Sequence, residues 1–173
     1  PVECIAPQSL LLADTKNGEE ARSSLTSFKK GDLLFGAMRP YFHKVAIAPF
    51  DGTTRTTVFV LKPRMPEDFS FATMLLHDKS TIDYATNHST GSTIPYAVWQ
   101  RSLAAMPIVL PPPSIRVVAD RLIRPFLEAI SPAFERNRTL AGVRDTLLPR
   151  LVSGQLRVKN PEPVLEQTAR TEA

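Results

Sequence analysis

The sequence predicts a mixed α+β fold, in which a small domain with a short mixed sheet and helices precedes a long C-terminal helix of coiled-coil type. Two observations predict it. Short apolar and β-branched runs separated by turn residues occupy the chain up to "LPPPS" at 110–114, and apolar residues at heptad spacing follow. We therefore expect a compact domain over residues 1–113 and a helix over residues 114–158. Residues 159–173 are rich in proline and charge and are expected to be disordered.

Three strands are predicted before residue 62. The apolar runs Asp32–Met38 and Lys44–Ala48 flank a turn at Arg39–His43, which is the pattern of a hairpin. The stretch "FDGTT", with Asp51-Gly52 at its centre, predicts the next turn. The β-branched run Thr56–Leu61 predicts the third strand.

Helical and loop patterns follow these strands. The segment Glu67–His77 has apolar residues at helical spacing and acidic residues at its start, which favour the positive end of a helix dipole. The stretch "NHSTGST" at 87–93 predicts a polar loop, and Met106–Leu110 predicts a last short strand. Ser114 is the expected N-cap of the long helix.

The long helix carries an apolar face that is wider than a two-row coiled-coil seam. Three neighbouring heptad rows span about 100° of its surface. Asn137 and Arg144 lie in the middle row, where polar residues specify register and partner, and Pro125 and Pro132 are each expected to bend the helix. We expect this face to pair with a partner; the alternative is a terminal helix packed on its own domain. The residues predicted to pair are Ile123, Phe126, Leu127, Ile130, Phe134, Asn137, Leu140, Arg144, Leu147, Leu148 and Leu151.

Composition and charge narrow the classes of function. No apolar stretch approaches the roughly 20 residues that span a bilayer, no signal segment opens the chain, and the single cysteine excludes an internal disulfide. We therefore expect a cytoplasmic protein without a membrane partner. The net charge is +4, and between Ser27 and Lys62 six basic residues stand against two acidic ones. This balance fits a polyanionic partner, or else a solvated basic face.

The patterns typical of catalysis are missing from the sequence. No glycine-rich phosphate loop occurs, and His43, His77 and His88 lack the spacing of metal ligands. A magnesium nuclease would need a lysine two positions beyond a carboxylate near Asp51 or Glu67-Asp68, and none is there. The stretch "LPPPS" lacks the Asn or Asp of an adenine methyltransferase turn. We therefore expect a non-catalytic binding protein with no cofactor and no metal.

Two segments offer side chains suited to DNA. The basic-aromatic turn, residues 39–44, combines an arginine, which matches guanine edges or phosphate, with a tyrosine that can stack. The polar loop, residues 87–96, places small hydroxyls around Gly91, although an ordinary solvent loop has the same composition. Lys44 and Arg55 are assigned to phosphate. The residues predicted to bind DNA are Arg39, Tyr41, His43, Lys44, Arg55, Asn87, His88, Thr90, Ser92, Thr93 and Tyr96.

Five blocks of sequence occur in an order known from one protein family. They are "GDLLFGAMRPYFHKVAIAPFDG", "LKP", "GSTIPYAVW", "MPIVLPPPS" and "DTLLPRLVSGQLRV". Over most of residues 27–158 the chain resembles the specificity subunits of type I restriction–modification systems. It departs from them at "SIRVVAD", where family members often carry Glu-Gln after the prolines, and at Pro125 and Pro132 in the helix.

The resemblance implies a role in phage defence. Residues 1–113 would be a target recognition domain that grips the major groove of double-stranded DNA, and residues 114–158 the conserved spacer helix. Such subunits catalyse nothing themselves; adenine methyltransferase subunits and ATP-driven restriction subunits assemble around them. They usually carry two recognition domains, and this chain has room for one. It therefore resembles a half subunit that forms a homodimer, or pairs with a second recognition domain, through the helix.

Two alternatives from other classes remain. The chain could be a decoy or remnant that occupies the specificity-subunit site of a methyltransferase through its helix without reading DNA. Salt-sensitive, sequence-specific DNA binding would separate a reader from such a decoy. The second alternative is a magnesium nuclease, which cleavage of DNA without any partner would identify.

Overall fold

The structure, a computed structural model, describes residues 1–16, 24–100 and 102–157. It confirms the α+β class, because short strands and helices precede one long C-terminal helix. The strand pairings are antiparallel throughout the described residues, and the strands form two small sheets. The expectation of one short mixed sheet is therefore wrong.

The strands have the following bounds. In the three-stranded sheet, β2 (Leu33–Gly36) lies between β3 (Val45–Ile47) and β5 (Val58–Leu61). In the two-stranded sheet, β1 (Leu25–Phe28) pairs with β4 (Gly52–Arg55). The three predicted strands correspond to β2, β3 and β5, with shorter bounds, and the hairpin between β2 and β3 is confirmed.

The two-stranded sheet was not predicted, and Gly52 opens a strand instead of centring a turn. A side chain at Gly52 would bring its Cβ within 2.7 Å of the Phe28 ring, so glycine lets the two strands approach closely. Within the pair, Phe28 and Thr54 are buried and most other residues are exposed. Such strands lack the apolar run on which sequence prediction depends.

Two short helices follow the sheets. A 3-10 turn at Pro66–Asp68 precedes α1 (Phe69–His77), so the predicted helix begins later than Glu67. Helix α2 (Lys79–Asn87), which was not predicted, is capped by Asp78, whose side chain accepts a hydrogen bond from the Ser80 N–H at 2.8 Å.

The strand predicted at Met106–Leu110 is wrong, because residues 106–112 form no strand. Pro107, Pro111 and Pro112 have no N–H to donate to a sheet. Helix α3 (Pro113–Val152) begins before Ser114, which is therefore a helical residue and not the N-cap. The helix ends at a backbone hydrogen bond from the Leu156 N–H to the Arg150 carbonyl, with the intervening Gly154 at φ +72°.

The described residues form two compact units, which divide between Phe134 and Glu135. In the first unit β2 is buried on both faces: Leu34 lies in one cluster with Phe134 of α3, and Leu33 lies in another with Leu127 of α3. The predicted disordered tail, 159–173, lies outside the described residues. Among the helices that are described, none combines the length and apolar character needed to cross a membrane.

Candidate nucleic-acid interface

The basic-aromatic turn is built around a buried proline. Residues Pro40–Phe42 form a 3-10 turn between β2 and β3, and Pro40 is less than 2% exposed. Arg39 and His43, on either side, both have left-handed backbone conformations at φ +51° and +52°. The two aromatic residues that follow the proline point outward, with Tyr41 49% and Phe42 45% exposed.

Hydrogen bonds from several parts of the chain hold this turn. Inside it, the Phe42 N–H donates to the Arg39 carbonyl and the His43 N–H to the Pro40 carbonyl. From outside, the Gln8 N–H donates to the His43 carbonyl at 2.8 Å. The His43 ring reaches α1, where Nε2 lies 2.8 Å from the His77 carbonyl oxygen. The turn is therefore fixed before any partner arrives.

Two of the predicted DNA contacts face the protein. Lys44 is half-buried and its Nζ donates to the Val2 carbonyl at 3.0 Å. The His43 ring lies 4.5 Å, centroid to centroid, from the His77 ring. Burial lowers the pKa of His77, and the neighbouring His43 lowers this pKa further. In this structure His43 and Lys44 hold the turn in place.

The polar loop is closed by a reciprocal backbone pair. The Thr90 N–H donates to the Tyr96 carbonyl at 2.8 Å, and the Tyr96 N–H donates to the Thr90 carbonyl at 2.7 Å. Gly91 has φ +95°, and a Cβ there would lie 2.7 Å from the Ile94 carbonyl oxygen. Only glycine fits this bend without strain. The bend leaves Ser92 and Thr93 exposed at the tip.

The residues at the start of the polar loop belong to the end of α2. Asn87 is exposed and is the last helical residue. His88 stacks on Tyr84 at 4.0 Å between ring centroids, and its Nδ1 lies 2.9 Å from the Tyr84 carbonyl oxygen. Asn87 is thus open to a ligand, while His88 also packs on its own helix.

The structure brings the basic-aromatic turn and the polar loop together. The Arg39 N–H donates to the Pro95 carbonyl at 2.8 Å, and Met38 forms an isolated β-bridge with Tyr96. One residue further on, the Ala97 N–H donates to the Ala37 carbonyl at 2.8 Å. Residues 39–44 and 87–99 contain no acidic residue. The two segments therefore form one surface suited to an anionic partner.

Arg55 lies elsewhere, in the two-stranded sheet, where its register partner is Leu25. Together with the N-terminal segment it lines a cavity of about 510 Å³ whose wall includes Phe28 and Phe50. The structure therefore does not group Arg55 with the other predicted DNA contacts.

Sequence reasoning missed three exposed apolar side chains on this surface. Phe42 packs against Tyr41, with ring centroids 4.8 Å apart and an interplanar angle of 58°. Trp99 is 40% exposed and meets Phe59 edge to face at 6.0 Å, and Ile94 is 42% exposed. The adjacent aromatics in "PYF" are visible in the sequence, but the burial of Pro40 that turns both outward is not.

In the first unit, some residues of the predicted pairing face of α3 are buried and others are exposed. Leu127 and Phe134 are only 5% and 8% exposed and pack in the core, with Ile123 and Ile130 half-buried beside Leu127. These four residues were expected to face a partner helix. In the structure they cover β2 and β3 instead. This agrees with the alternative, in which the helix packs on its own domain.

A second apolar face of α3 has no cover in the first unit. Phe126 is 76% exposed, Leu122 67% and Ile115 57%. At about 100° per residue these three side chains lie within roughly 40° of each other around the helix. In the second unit, the remaining predicted pairing residues are all exposed. These are Asn137, Leu140, Arg144, Leu147, Leu148 and Leu151.

Comparison with known proteins identifies a distant relative of this chain. No protein-family model matches the chain. It is 27% identical over 148 residues to the type I restriction enzyme EcoDI specificity subunit of Escherichia coli. The alignment covers 81% of this chain and 33% of that subunit, so the chain spans about a third of the relative's length. The chain is distantly homologous to this specificity subunit, which confirms the resemblance seen in its sequence blocks.

Proposed function

We propose that this chain, a distant homologue of a type I restriction enzyme specificity subunit, reads one half of a DNA target and catalyses nothing itself. It would direct adenine methylation and restriction by partner subunits, as a cytoplasmic defence against phage DNA. The observation that carries the proposal is the alignment with that specificity subunit over 81% of the chain.

The joined surface of turn and loop supports DNA recognition. Ser92 and Thr93 offer exposed hydroxyls for phosphates or base edges, and Asn87 offers an amide suited to adenine. Arg39 is half-buried at the junction of the two segments and is the proposed contact for guanine or phosphate. His43 and Lys44 would act by holding the turn, and Arg55 remains a proposed phosphate contact on the other sheet.

The exposed face of α3 supports pairing with a second recognition domain. Contiguous exposed apolar side chains mark interaction surfaces, and Asn137 and Arg144 are placed to specify the register. In a homodimer this pairing would be two-fold symmetric, so the DNA target would be an interrupted palindrome. The proposed contacts are Phe126, Leu140, Leu147, Leu148 and Leu151.

A methylation map tests the proposal. The full chain is expressed with an adenine methyltransferase subunit encoded beside it, in a host that lacks adenine methylation, and N6-methyladenine is mapped by sequencing. A single interrupted, symmetric motif is expected. An asymmetric motif would identify a different second recognition domain, and a stable complex without methylation would favour the decoy over the reader.

A further inference from the structure

We infer that the paired rings of Tyr41 and Phe42 read the methyl groups of thymine in the major groove. This inference rests on the proposed function, because it names the feature of DNA that one part of the interface would recognise. It adds Phe42 to the predicted contacts and gives Tyr41 a defined role.

The chemistry of the ring pair limits what it can recognise. Phe42 has no hydrogen-bonding group, so it contributes to specificity only by meeting an apolar feature of DNA. On the edges of the base pairs, the apolar feature is the C5-methyl group of thymine, which lies in the major groove. The minor-groove edges offer hydrogen-bond acceptors and the guanine amino group, but no methyl group.

The shape of the ring pair favours contact with a groove edge over insertion into the base stack. Tyr41 is 49% and Phe42 45% exposed, so about half of each residue is covered by the protein. They meet at 58° with centroids 4.8 Å apart, so together they present a broad, blunt surface. Base pairs are stacked about 3.4 Å apart. A wedge between them must project beyond its support, as the inserted apolar side chains of minor-groove binders do.

The backbone beneath the rings is strained and fixed. Arg39 and His43, the non-glycine residues on either side of the turn, both have left-handed conformations, and Pro40 between them is buried. Backbone hydrogen bonds from Gln8 and to Pro95 tie the turn to other segments. Such strain persists where the surroundings hold it, and it is concentrated at functional sites. Because the rings are already in place, little conformational entropy is lost when they bind.

The surroundings of the ring pair fit a nucleic acid. No acidic residue occurs in the turn or in the adjoining segment 87–99. The hydroxyls of Ser92 and Thr93 are exposed on the polar loop, which the Arg39–Pro95 bond joins to the turn. An apolar ring pair joined to a loop with exposed hydroxyls, in two segments without acidic residues, suits a thymine methyl beside phosphates and base edges.

The test removes the methyl group and nothing else. Duplexes carrying the methylated motif are prepared with each thymine in turn replaced by deoxyuridine. Their dissociation constants are measured by fluorescence anisotropy at fixed salt, with the full chain in the complex that methylates. One or two positions should bind about fourfold more weakly, the loss expected for one buried methyl group.

Two variants assign the effect to the rings. In Phe42→Ala or Tyr41→Ala, the dissociation constant for the deoxyuridine duplex divided by that for the thymine duplex should fall from about four to about one at the affected position. In the control Met74→Ala, where the replaced side chain is 50% exposed on α1, the ratio should stay as in the wild type. A variant that is merely less stable would bind both duplexes more weakly. Both dissociation constants would then rise, and their ratio would stay the same.

Several outcomes would overturn the inference and leave the proposed function intact. These are a motif without thymine, a wild-type deoxyuridine series with no weakened position, and a ratio unchanged in both ring variants. A Phe42-dependent rise in 2-aminopurine fluorescence within the motif would indicate insertion into the stack instead. The deoxyuridine series with the wild-type chain tests the methyl contact even if a ring variant does not fold. Failure to methylate or prefer any sequence would instead reject the proposed function.

Discussion

Asp120 of α3 accepts two hydrogen bonds from Ser70 of α1, one from Oγ at 2.7 Å and one from the backbone N–H at 3.1 Å. Arg124, one turn later in α3, donates to the other carboxylate oxygen at 2.7 Å, and its guanidinium lies 4.9 Å from the centre of the Phe69 ring. Arg116 pairs with Asp68 just before α1. This polar network, over a sequence distance of fifty residues, fixes the first turns of α3 to α1.

Replacing Asp120 with Asn should lower the free energy of unfolding by about 2–3 kcal/mol, because the buried donors of Ser70 and the half-buried guanidinium of Arg124 lose a charged acceptor. Urea denaturation of the full chain measures the change. Asp83→Asn is the matched control: its partner Lys79 is exposed, so a change below about 1 kcal/mol is expected. Equal changes in the two variants would show that the Asp120 network does not stabilise the fold.

The Asp120 network should also weaken in acid. Burial alone would raise the pKa of Asp120, but hydrogen bonds from Ser70 and Arg124 outweigh it and leave the pKa below its ordinary value. A depressed folded-state pKa contributes stability above the unfolded pKa, about 3.9, and this contribution is lost as the pH falls through the folded pKa. The difference in unfolding free energy between wild type and Asp120→Asn should thus be constant near neutrality and shrink below about pH 4. A constant difference down to pH 2.5 would contradict this assignment.

Gly91→Ala should damage DNA binding more than it damages the fold. The added Cβ would lie 2.7 Å from the Ile94 carbonyl oxygen at a backbone φ of +95°, so the polar loop must change shape. Affinity for the methylated motif, measured by anisotropy, should fall at least tenfold. Gly142→Ala is the control, since a Cβ there meets nothing within 4 Å and alanine favours the helix by about 1 kcal/mol. Unchanged affinity in Gly91→Ala would remove the loop from the interface.

Substitutions on the two faces of α3 should affect different properties: the buried face the stability of the fold, and the exposed face self-association. Leu127→Ala removes a buried core side chain and should cost about 2–4 kcal/mol in urea denaturation. Phe126→Ala removes a side chain that is 76% exposed and should change the unfolding free energy of the monomer by less than about 0.5 kcal/mol. In sedimentation velocity, however, Phe126→Ala should weaken self-association. Undiminished association would exclude this face of α3 from the dimer.

The sequence predicts those elements whose buried residues form a regular apolar pattern along the chain. Strands β2, β3 and β5 follow from apolar runs, and α3 follows from its heptad rows. Helix α2 was not predicted because one of its buried residues is Thr81. A polar residue does not contribute to the apolar periodicity from which helices are predicted. The heptad rows also could not tell Phe126 from Leu127, since periodicity defines an apolar arc and not which part of it the domain covers.

The candidate interface was predictable as two segments but not as one surface. Lys44 and His43 looked like DNA contacts because their partners, the Val2 and His77 carbonyls, are distant in sequence. The closeness of turn and loop likewise comes from a backbone bond between Arg39 and Pro95, two residues with no pattern that links them. Local sequence reports side-chain chemistry, whereas orientation comes from contacts of long sequence separation.

The backbone bond between Arg39 and Pro95, with the Met38–Tyr96 bridge beside it, bears on how such a protein could acquire a new target. A graft that exchanges only residues 87–96 would place a foreign loop against a turn shaped for another one. The hydrogen bond between Arg39 and Pro95 would then form only if the new side chains were displaced. If it did not form, the position of the new loop would no longer be fixed. The interchangeable unit is therefore the pair of segments, and recombination or engineering should move 37–44 and 87–97 together.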